Sequence, residues 1–462
     1  MNDKPLEMQA DTVGVILAGG KGLRFGSDLP KQFHNLAGRM IVEYALETFL
    51  HHPRIGAVIL VHGPGCDDQI ARLQSKFAGG SKPFVCTLGG STRPGSSRAA
   101  LAAIPDAARD WPNILFHDAV RPFVTDAVID RCLAALDSYE AVDTVVPAID
   151  TIVELDASSE TLKAIPNRAR MRRGQTPQGF RMTRIRDAYG ALDDDQLGRF
   201  TDDCGVLLSR FPDVPVAAVD GHENNIKITS PLDMFLAEQL MYQGFNIAQT
   251  APERVREKTV AVLFGGTSGL GQASAERLAE LGWTVEVASR ATGVDIRDLP
   301  AVQGFLDQVR AKHGRIDMVA NFAGLLQGGR LKDRDLAKID EILSINLMGS
   351  IVVSQASLPH LSETRGHLVL TSSSSYYRGR ADTAAYSASK AAVVNLTQAL
   401  ADEWADQGVT VSCVVPRRAD TPMRRNAFPD EDQGPNLKPE AVADAIVELH
   451  QKNQTGIVKH VY

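Results

Sequence analysis

A chain of 462 residues, 44% hydrophobic and 23% charged, has the composition of a soluble globular protein and is too long for one ordinary core, so two to three domains are expected. Its net charge of -7 argues against a nucleic-acid surface, and its longest apolar runs, such as Val260–Phe264, are far too short to cross a bilayer. The amino-terminal MNDKPLEMQAD lacks the apolar region of a secretory signal, and the five cysteines (Cys66, Cys86, Cys132, Cys204, Cys413) form no CxxC pair, which predicts reduced thiols in a cytoplasm and no zinc site.

In chain order, Val13 to Leu17 reads as a buried strand that runs into a glycine loop holding Gly19, Gly20 and Gly22. Such a loop lets backbone N–H groups approach phosphate oxygens. Arg24 and Lys31 lie beside it, and two cations there suit a nucleoside triphosphate whose bond to pyrophosphate is breaking. The Asp-Leu-Pro-Lys-Gln segment ends the loop with a fixed turn that aims Lys31. Met40 to Leu50 reads as a helix, and His51 and His52 as its exposed end, because the eleven histidines show no HxH or HExxH spacing. Further strands are expected at Ala57 to His62, Asn113 to Phe116 and Thr144 to Pro147. The stretch from Asp150 to Gln175 looks irregular and carries Arg168, Arg170, Arg172 and Arg173, which suits an arm at a dimer interface.

A polar, proline-containing segment at 246–254 separates the halves. The pattern restarts with a strand at Thr259 to Phe264, a second glycine loop at Gly265 to Gly271, a helix at Gln272 to Gly282 and a strand at Thr284 to Ala288. This alternation predicts an α/β protein of two Rossmann-like doubly wound domains, each with a mostly parallel sheet, over residues 1–245 and 258–462 with 246–257 as linker. The second loop sits in the strand–loop–helix context of a dinucleotide fingerprint. The following strand ends at Ser289-Arg290, where an arginine suits a 2′-phosphate and so favours NADPH. Tyr386 and Lys390, four apart, share a helix face. An ammonium near a phenol, whose free pKa is about 10, is expected to lower it toward usable acid–base range.

The first half resembles the cytidylyltransferases of the methylerythritol-phosphate and ribitol-phosphate type over roughly residues 13–240, through LAGG-KGLRFG-PKQF, GGSTR with Ser96, HDAVRP, RGQTPQ, TDD and NIKIT. The resemblance implies that CTP is bound by Ala18, Gly19, Gly20, Gly22, Gly90, Arg93, Ser96 and Asp118, with Asp118 also at a magnesium or other divalent ion. It implies that Arg24, Lys31 and Lys227 stabilise the pentacovalent phosphate, and that Arg121, Arg168, Thr176 and Asp203 hold the acceptor, partly across a homodimer interface. The second half resembles the short-chain dehydrogenase/reductases over roughly residues 258–425. That implies a cofactor site at Gly265, Thr267, Ser268, Gly269, Leu270, Gly271, Ser289, Arg290, Asp295, Asn321, Ala323 and Gly324. It implies catalysis by Asn346, Ser373, Tyr386 and Lys390, with Ser372 or Ser374 as substitutes for Ser373. Two positions depart from that family: Phe264 replaces a loop-bracing Thr, and Arg417 replaces the Gly of a PG turn. Arg417, Arg418, Arg424 and Arg425 suit a pocket for a phosphorylated substrate.

Joined, the resemblances imply NADPH-dependent reduction of ribulose 5-phosphate to ribitol 5-phosphate, then CTP-dependent formation of CDP-ribitol. The alternatives are a methylerythritol-phosphate cytidylyltransferase fused to an unrelated reductase, and a reductase half that only binds nucleotide and dimerises.

Overall fold

The computed structural model describes residues 10–20, 29–37, 39–156, 158, 160–242, 258–432 and 436–462. These form two compact units, the first reaching Leu240 and the second comprising the described residues from 258 to Tyr462. The linker expected at 246–257 lies outside the described residues.

The first unit is built on seven strands: β1 Thr12–Ala18, β2 Ile55–His62, β3 Phe84–Leu88, β4 Asn113–Asp118, β5 Ala141–Pro147, β6 Arg172–Arg181 and β7 Val216–Asp220. Their order is β7-β5-β6-β4-β1-β2-β3. All neighbours are parallel except β6, which runs antiparallel to both β4 and β5. The period-two alternation of β1 divides its side chains between two cores. Val13, Val15 and Leu17 join one with Phe116, Ile185 and Tyr189, and Ile16 and Ala18 join the other with Leu46 and Phe49. Gly14 sits in the strand because a Cβ there would fall 2.5 Å from a ring carbon of Phe49. The stretch expected to be irregular is more ordered than its composition suggests. Glu154–Leu155 pairs with Leu162–Ala164 as a small hairpin, and β6 begins at Arg172. His52 departs from expectation too: it is buried and its Nε2 lies 3.1 Å from Asp130, while His51 is exposed at the helix end.

The second unit is built on six parallel strands: β8 Val260–Phe264, β9 Thr284–Ala288, β10 Met318–Asn321, β11 His367–Thr371, β12 Thr410–Pro416 and β13 Val458–Val461. Their order is β9-β8-β10-β11-β12-β13, so the chain reverses its direction of winding at β8. Ligands of such sheets bind beyond the carboxyl ends of the strands at that switch. Phe264 is fully buried and meets the Phe305 ring edge-on, with centroids 6.1 Å apart. The backbone at this turn is held by Gly265 N donating to Ala288 O at 2.7 Å and Phe322 N to Phe264 O at 2.8 Å.

Candidate active sites

The first site opens at the carboxyl ends of β1 to β4 as a cavity of about 630 Å³. Ala18, Gly19, Gly20, Lys31, Gly90, Arg93, Ser96, Asp118 and Lys227, all expected from sequence, line it; Gly22 and Arg24 lie outside the described residues. The glycine loop is held by Gln32, whose Nε2 donates to Ala18 O at 2.5 Å and to Gly20 O at 3.2 Å. The second loop packs on the first turn of the helix Arg93–Ala102. A Cβ on Gly90 would lie 2.8 Å from the Gly95 carbonyl carbon, and the Thr92 hydroxyl caps that helix by accepting from Gly95 N at 3.1 Å. Both loops therefore face the cavity with backbone, as an anion or a base edge requires.

Among the described residues, Asp118, at the end of β4, is the only acidic one lining the cavity. Lys227 Nζ lies 2.9 Å from it, Arg93 Nε 3.4 Å and Arg121 Nε 3.6 Å. Burial alone would push its carboxyl up, but Arg93, Lys227 and Arg121 outweigh that and hold it well below the usual carboxylate range. It therefore stays ionised. One ionised carboxylate facing a phosphate pocket fits a magnesium ion that arrives with the triphosphate, since magnesium commonly takes one or two carboxylates plus phosphate oxygens. No cluster of three metal-ligating side chains occurs among the described residues.

Three residues expected to touch the acceptor make hydrogen bonds within the protein. Asp203 is fully buried, accepting from Arg93 Nη1 at 2.6 Å and from Tyr189 OH at 2.6 Å. Thr176 accepts from Asp118 N at 3.1 Å and lies 3.0 Å from His117 Nδ1. Arg121 donates from Nη1 to Asn225 O at 2.7 Å, and Ile228 N donates to Val120 O at 2.9 Å. Those two bonds tie the 225–228 segment to the end of β4 and so deliver Lys227 to Asp118. Asp203 and Thr176 are both buried, and neither lines the cavity. Arg168 is exposed on the arm, donating to Ile149 O at 3.0 Å, and does not line the cavity. Gln32 and Asn225 lie in the PKQF and NIKIT motifs without an expected role of their own, and Tyr189 was not anticipated.

The second site comprises two cavities that share Leu270, Phe322, Gly324, Thr421 and Met423. The first, about 330 Å³, is lined by Gly265, Thr267, Ser268, Gly269, Leu270, Gly271, Ser289, Arg290, Asp295, Ala323 and Gly324. Gly265, at φ 74°, packs so closely on β10 that a Cβ would meet Ala323 N at 2.6 Å. Asn321 does not line the cavity; its Oδ1 accepts from Ala323 N at 3.1 Å and so shapes that turn. Asp295 is gripped by Arg297, at 2.6 Å from Nη2, and that bond is the main reason its carboxyl is lowered to about 2. The glycine cradle fits a dinucleotide.

The other cavity, about 350 Å³, holds Ser373, Tyr386 and Lys390. Lys390 donates to Thr371 O at 2.9 Å, and burial lowers its ammonium to about 8. Contrary to expectation, Tyr386 is raised above its ordinary value: burial dominates, and a hydrogen bond with Ser373 and the nearby Arg424 charge only offset it. Ser372 is buried, its hydroxyl donating to Lys390 O at 2.7 Å, which separates it from Ser373. Asn346 lies in a single π-helical turn, Ser344–Met348, and this widened turn brings its side chain to Leu325, accepting from N at 2.7 Å and donating to O at 3.0 Å. A Cβ on Gly324 would fall 3.3 Å from Asn346 Oδ1 and 3.6 Å from Lys390 Nζ, so both polar groups border one small space. Arg417 takes no left-handed conformation, and its N–H donates to Val461 O at 2.9 Å, so no glycine is required there.

Together the two sites define a nucleotidyltransferase joined to a dinucleotide-dependent oxidoreductase. Residues 12–243 match the 2-C-methyl-D-erythritol 4-phosphate cytidylyltransferase family, and residues 259–432 match the short chain dehydrogenase family. The bifunctional ribulose 5-phosphate reductase/CDP-ribitol pyrophosphorylase of Haemophilus influenzae is 35% identical over 449 residues, which are 96% of this chain and 94% of that protein. The 2-C-methyl-D-erythritol 4-phosphate cytidylyltransferase of Thermobifida fusca is 40% identical over 247 residues, 52% of this chain and 98% of that one. The solved 4-diphosphocytidyl-2C-methyl-D-erythritol synthase of Anaerococcus prevotii superimposes with a TM-score of 0.43 at 28% identity, over 50% of this chain and 97% of its own. The chain belongs to the family of bifunctional ribulose 5-phosphate reductase/CDP-ribitol pyrophosphorylases, enzymes with a cytidylyltransferase half and a nicotinamide-dependent reductase half.

Proposed function

We propose that residues 258–462 reduce D-ribulose 5-phosphate to D-ribitol 5-phosphate with NADPH, and that residues 1–245 then transfer the cytidylyl group of CTP to that product, giving CDP-ribitol and pyrophosphate. The end-to-end match, in the same domain order, to a relative named for both activities carries this reading. The fusion itself supports it, because a ketose-phosphate reductase serves an adjoining transferase when its product is the acceptor.

In the first site an oxygen of the acceptor phosphate attacks the α-phosphorus of CTP in line, and the bond to pyrophosphate breaks without a covalent enzyme intermediate. Lys31, Lys227 and Arg24 oppose the charge that grows there. The loops at Gly19 to Gly22 and Gly90 to Ser96 take phosphates and base, and Asp118 holds magnesium. Arg121, Thr176 and Asp203 keep these groups in place. Arg168 serves the acceptor phosphate from the arm of a partner protomer in a homodimer. The arm's exposed Ile149, Ile152, Val153, Leu155, Leu162 and Ile165 support that assembly.

In the second site bound NADPH supplies the hydride. Tyr386 gives its proton to the carbonyl oxygen, so the C=O becomes CH–OH, while Ser373 hydrogen-bonds that oxygen. Lys390 orients the cofactor ribose, and Asn346 holds water behind it. Arg290 faces the 2′-phosphate and Asp295 the adenine. CTP and NADPH are both cytoplasmic pools, and no helix among the described residues is long and apolar enough to cross a membrane.

The test is a coupled assay on the full chain. Ribulose 5-phosphate should oxidise NADPH faster than NADH and, with CTP and magnesium, yield CDP-ribitol. Ribitol 5-phosphate should be used far better than 2-C-methylerythritol 4-phosphate. Equal or reversed acceptor preference would favour the reading that the first half's matches to methylerythritol enzymes suggest.

A further inference from the structure

Among the described residues, five cationic side chains line the cavity of Tyr386: Arg380, Arg417, Arg418, Arg424 and Lys390, against the single carboxylate of Glu431. They are not equivalent. Arg424 is spent on Glu431, with Nε and Nη2 at 2.6 and 2.7 Å, and lies over the Phe428 ring at 4.1 Å. Arg418 Nη1 also reaches Glu431, at 3.2 Å. Lys390 donates to Thr371 O. Arg425, which the sequence grouped with these arginines, is paired with Asp420 and is absent from the cavity wall. That leaves Arg380 and Arg417, whose guanidinium groups have no ion-pair or hydrogen-bond partner among the described residues. Both also border an adjoining cavity of about 430 Å³ edged by Ser374, Arg418 and Tyr377.

Unpaired guanidinium groups on a shared wall are the chemistry of an oxyanion site, because each presents a planar fork of donors to phosphate oxygens. We propose that Arg380 and Arg417 form the site for the substrate's phosphate in the reductase half, with Arg418 at its rim, and so make this half select phosphorylated over unphosphorylated ketoses. The proposal rests on the reading that this half reduces a ketose phosphate, and adds which side chains recognise the phosphate. It also accounts for Arg417 at a turn where the family has glycine: its backbone needs no glycine, and the side chain gained there carries charge into the pocket. The cavity's serines, Tyr386 and Lys390 would occupy the carbonyl end of the substrate, and the two arginines the far end.

The experiment compares full-length wild type with Arg380→Met, Arg417→Met and the double variant, using NADPH with D-ribulose 5-phosphate and with D-ribulose. NADPH fluorescence on binding reports that the reductase half is folded. Wild type should prefer the phosphorylated ketose. Each single change should cut kcat/KM for it about 10- to 100-fold, mostly through KM, and the double variant should lose most of the preference, since a hydrogen bond to a charged group is worth about that factor. Arg417→Lys should recover part of the loss, as a point charge without the fork. A double variant that binds NADPH and keeps the full preference overturns the proposal. If wild type reduces neither ketose, the functional reading fails instead. The phosphate site is then judged by calorimetric titration with inorganic phosphate: one class of sites lost in the double variant supports it, and identical isotherms overturn it.

Discussion

Asp203 shows how a side chain can serve a site it never faces. Its carboxylate is sealed from solvent and engaged on both oxygens, by Arg93 and by Tyr189. Arg93 in turn has both burial and two carboxylates acting on it, and Asp203 and Asp118 hold its guanidinium firmly charged against the cost of burial. Removing one partner of a buried pair leaves the other uncompensated, which typically costs about 3 kcal/mol or more. Asp203→Asn should therefore lower the unfolding free energy by about 3 kcal/mol and release Arg93, raising KM for CTP at least tenfold. Tyr189→Phe loses one hydrogen bond to that carboxylate but keeps its pairing with Arg93, so it should cost about 2 kcal/mol and move KM less. Urea unfolding and initial rates measure both effects; an unchanged KM in a folded Asp203→Asn protein would show that Arg93 is not positioned this way. The acidic TDD triplet was visible as a site element, but its role was not. Nothing in the sequence aims Tyr189, fourteen residues earlier, at the second aspartate. Tyr386 gives the same lesson from the other side. Its helix spacing to Lys390 was legible, whereas the rise in its pKa depends on burial, which residue types alone do not fix.

At the scale of elements, His117 joins the end of β4 to two neighbours. The Arg121 carbonyl can only accept, so Nε2–H donates to it at 3.0 Å, and in a neutral ring Nδ1 then accepts from the Thr176 hydroxyl at 3.0 Å. This arrangement needs a neutral ring, and burial lowers its pKa to about 4 from 6.5. As pH falls from 6.5 the unfolded chain takes a proton that the folded one refuses until about 4, so stability drops across that window by about 3 kcal/mol. Asp143 works in the opposite sense: burial raises it to about 6, so the folded state gains its proton first and is stabilised as pH falls. The His117 contribution must be read as a difference between proteins. His117→Gln keeps one acceptor and one donor in neutral form, and its stability deficit relative to wild type should shrink by about 3 kcal/mol between pH 7 and pH 4 in urea unfolding. A deficit independent of pH would remove the histidine from the account. Strands with β-branched runs, such as β1 and β8, were legible because alternation or continuous apolar character shows directly in their residues. β6 was not: RRGQTPQGFR has a proline, two glycines and no apolar alternation, and it is a strand because β4 and β5 offer hydrogen-bonding edges on both sides. The π-turn at Asn346 likewise has no signature in SINLM.

For the whole molecule, two complete sets of motifs with a polar boundary between them made the two-domain architecture readable, and each cavity is lined from one unit alone. The reactions should then be separable and yet recoverable by mixing. Lys31→Ala removes charge from the first cavity and should cut CDP-ribitol formation from ribitol 5-phosphate by about 100-fold or more, as loss of a group that stabilises transition-state charge does. NADPH oxidation by the same protein should stay near wild type. Tyr386→Phe removes the proton donor and should slow ketose reduction by about 100-fold or more while leaving cytidylyl transfer intact. An equimolar mixture of the two variants, given ribulose 5-phosphate, NADPH, CTP and magnesium, should make CDP-ribitol again. Ribitol 5-phosphate released by one protein can diffuse to the intact transferase of the other, so product should appear after a lag that shortens as protein concentration rises. Chromatographic detection of CDP-ribitol over time measures this. Collapse of both activities in either folded variant would mean that the sites are not independent. Intact single activities with a mixture that stays silent would mean instead that the intermediate never leaves the chain that made it.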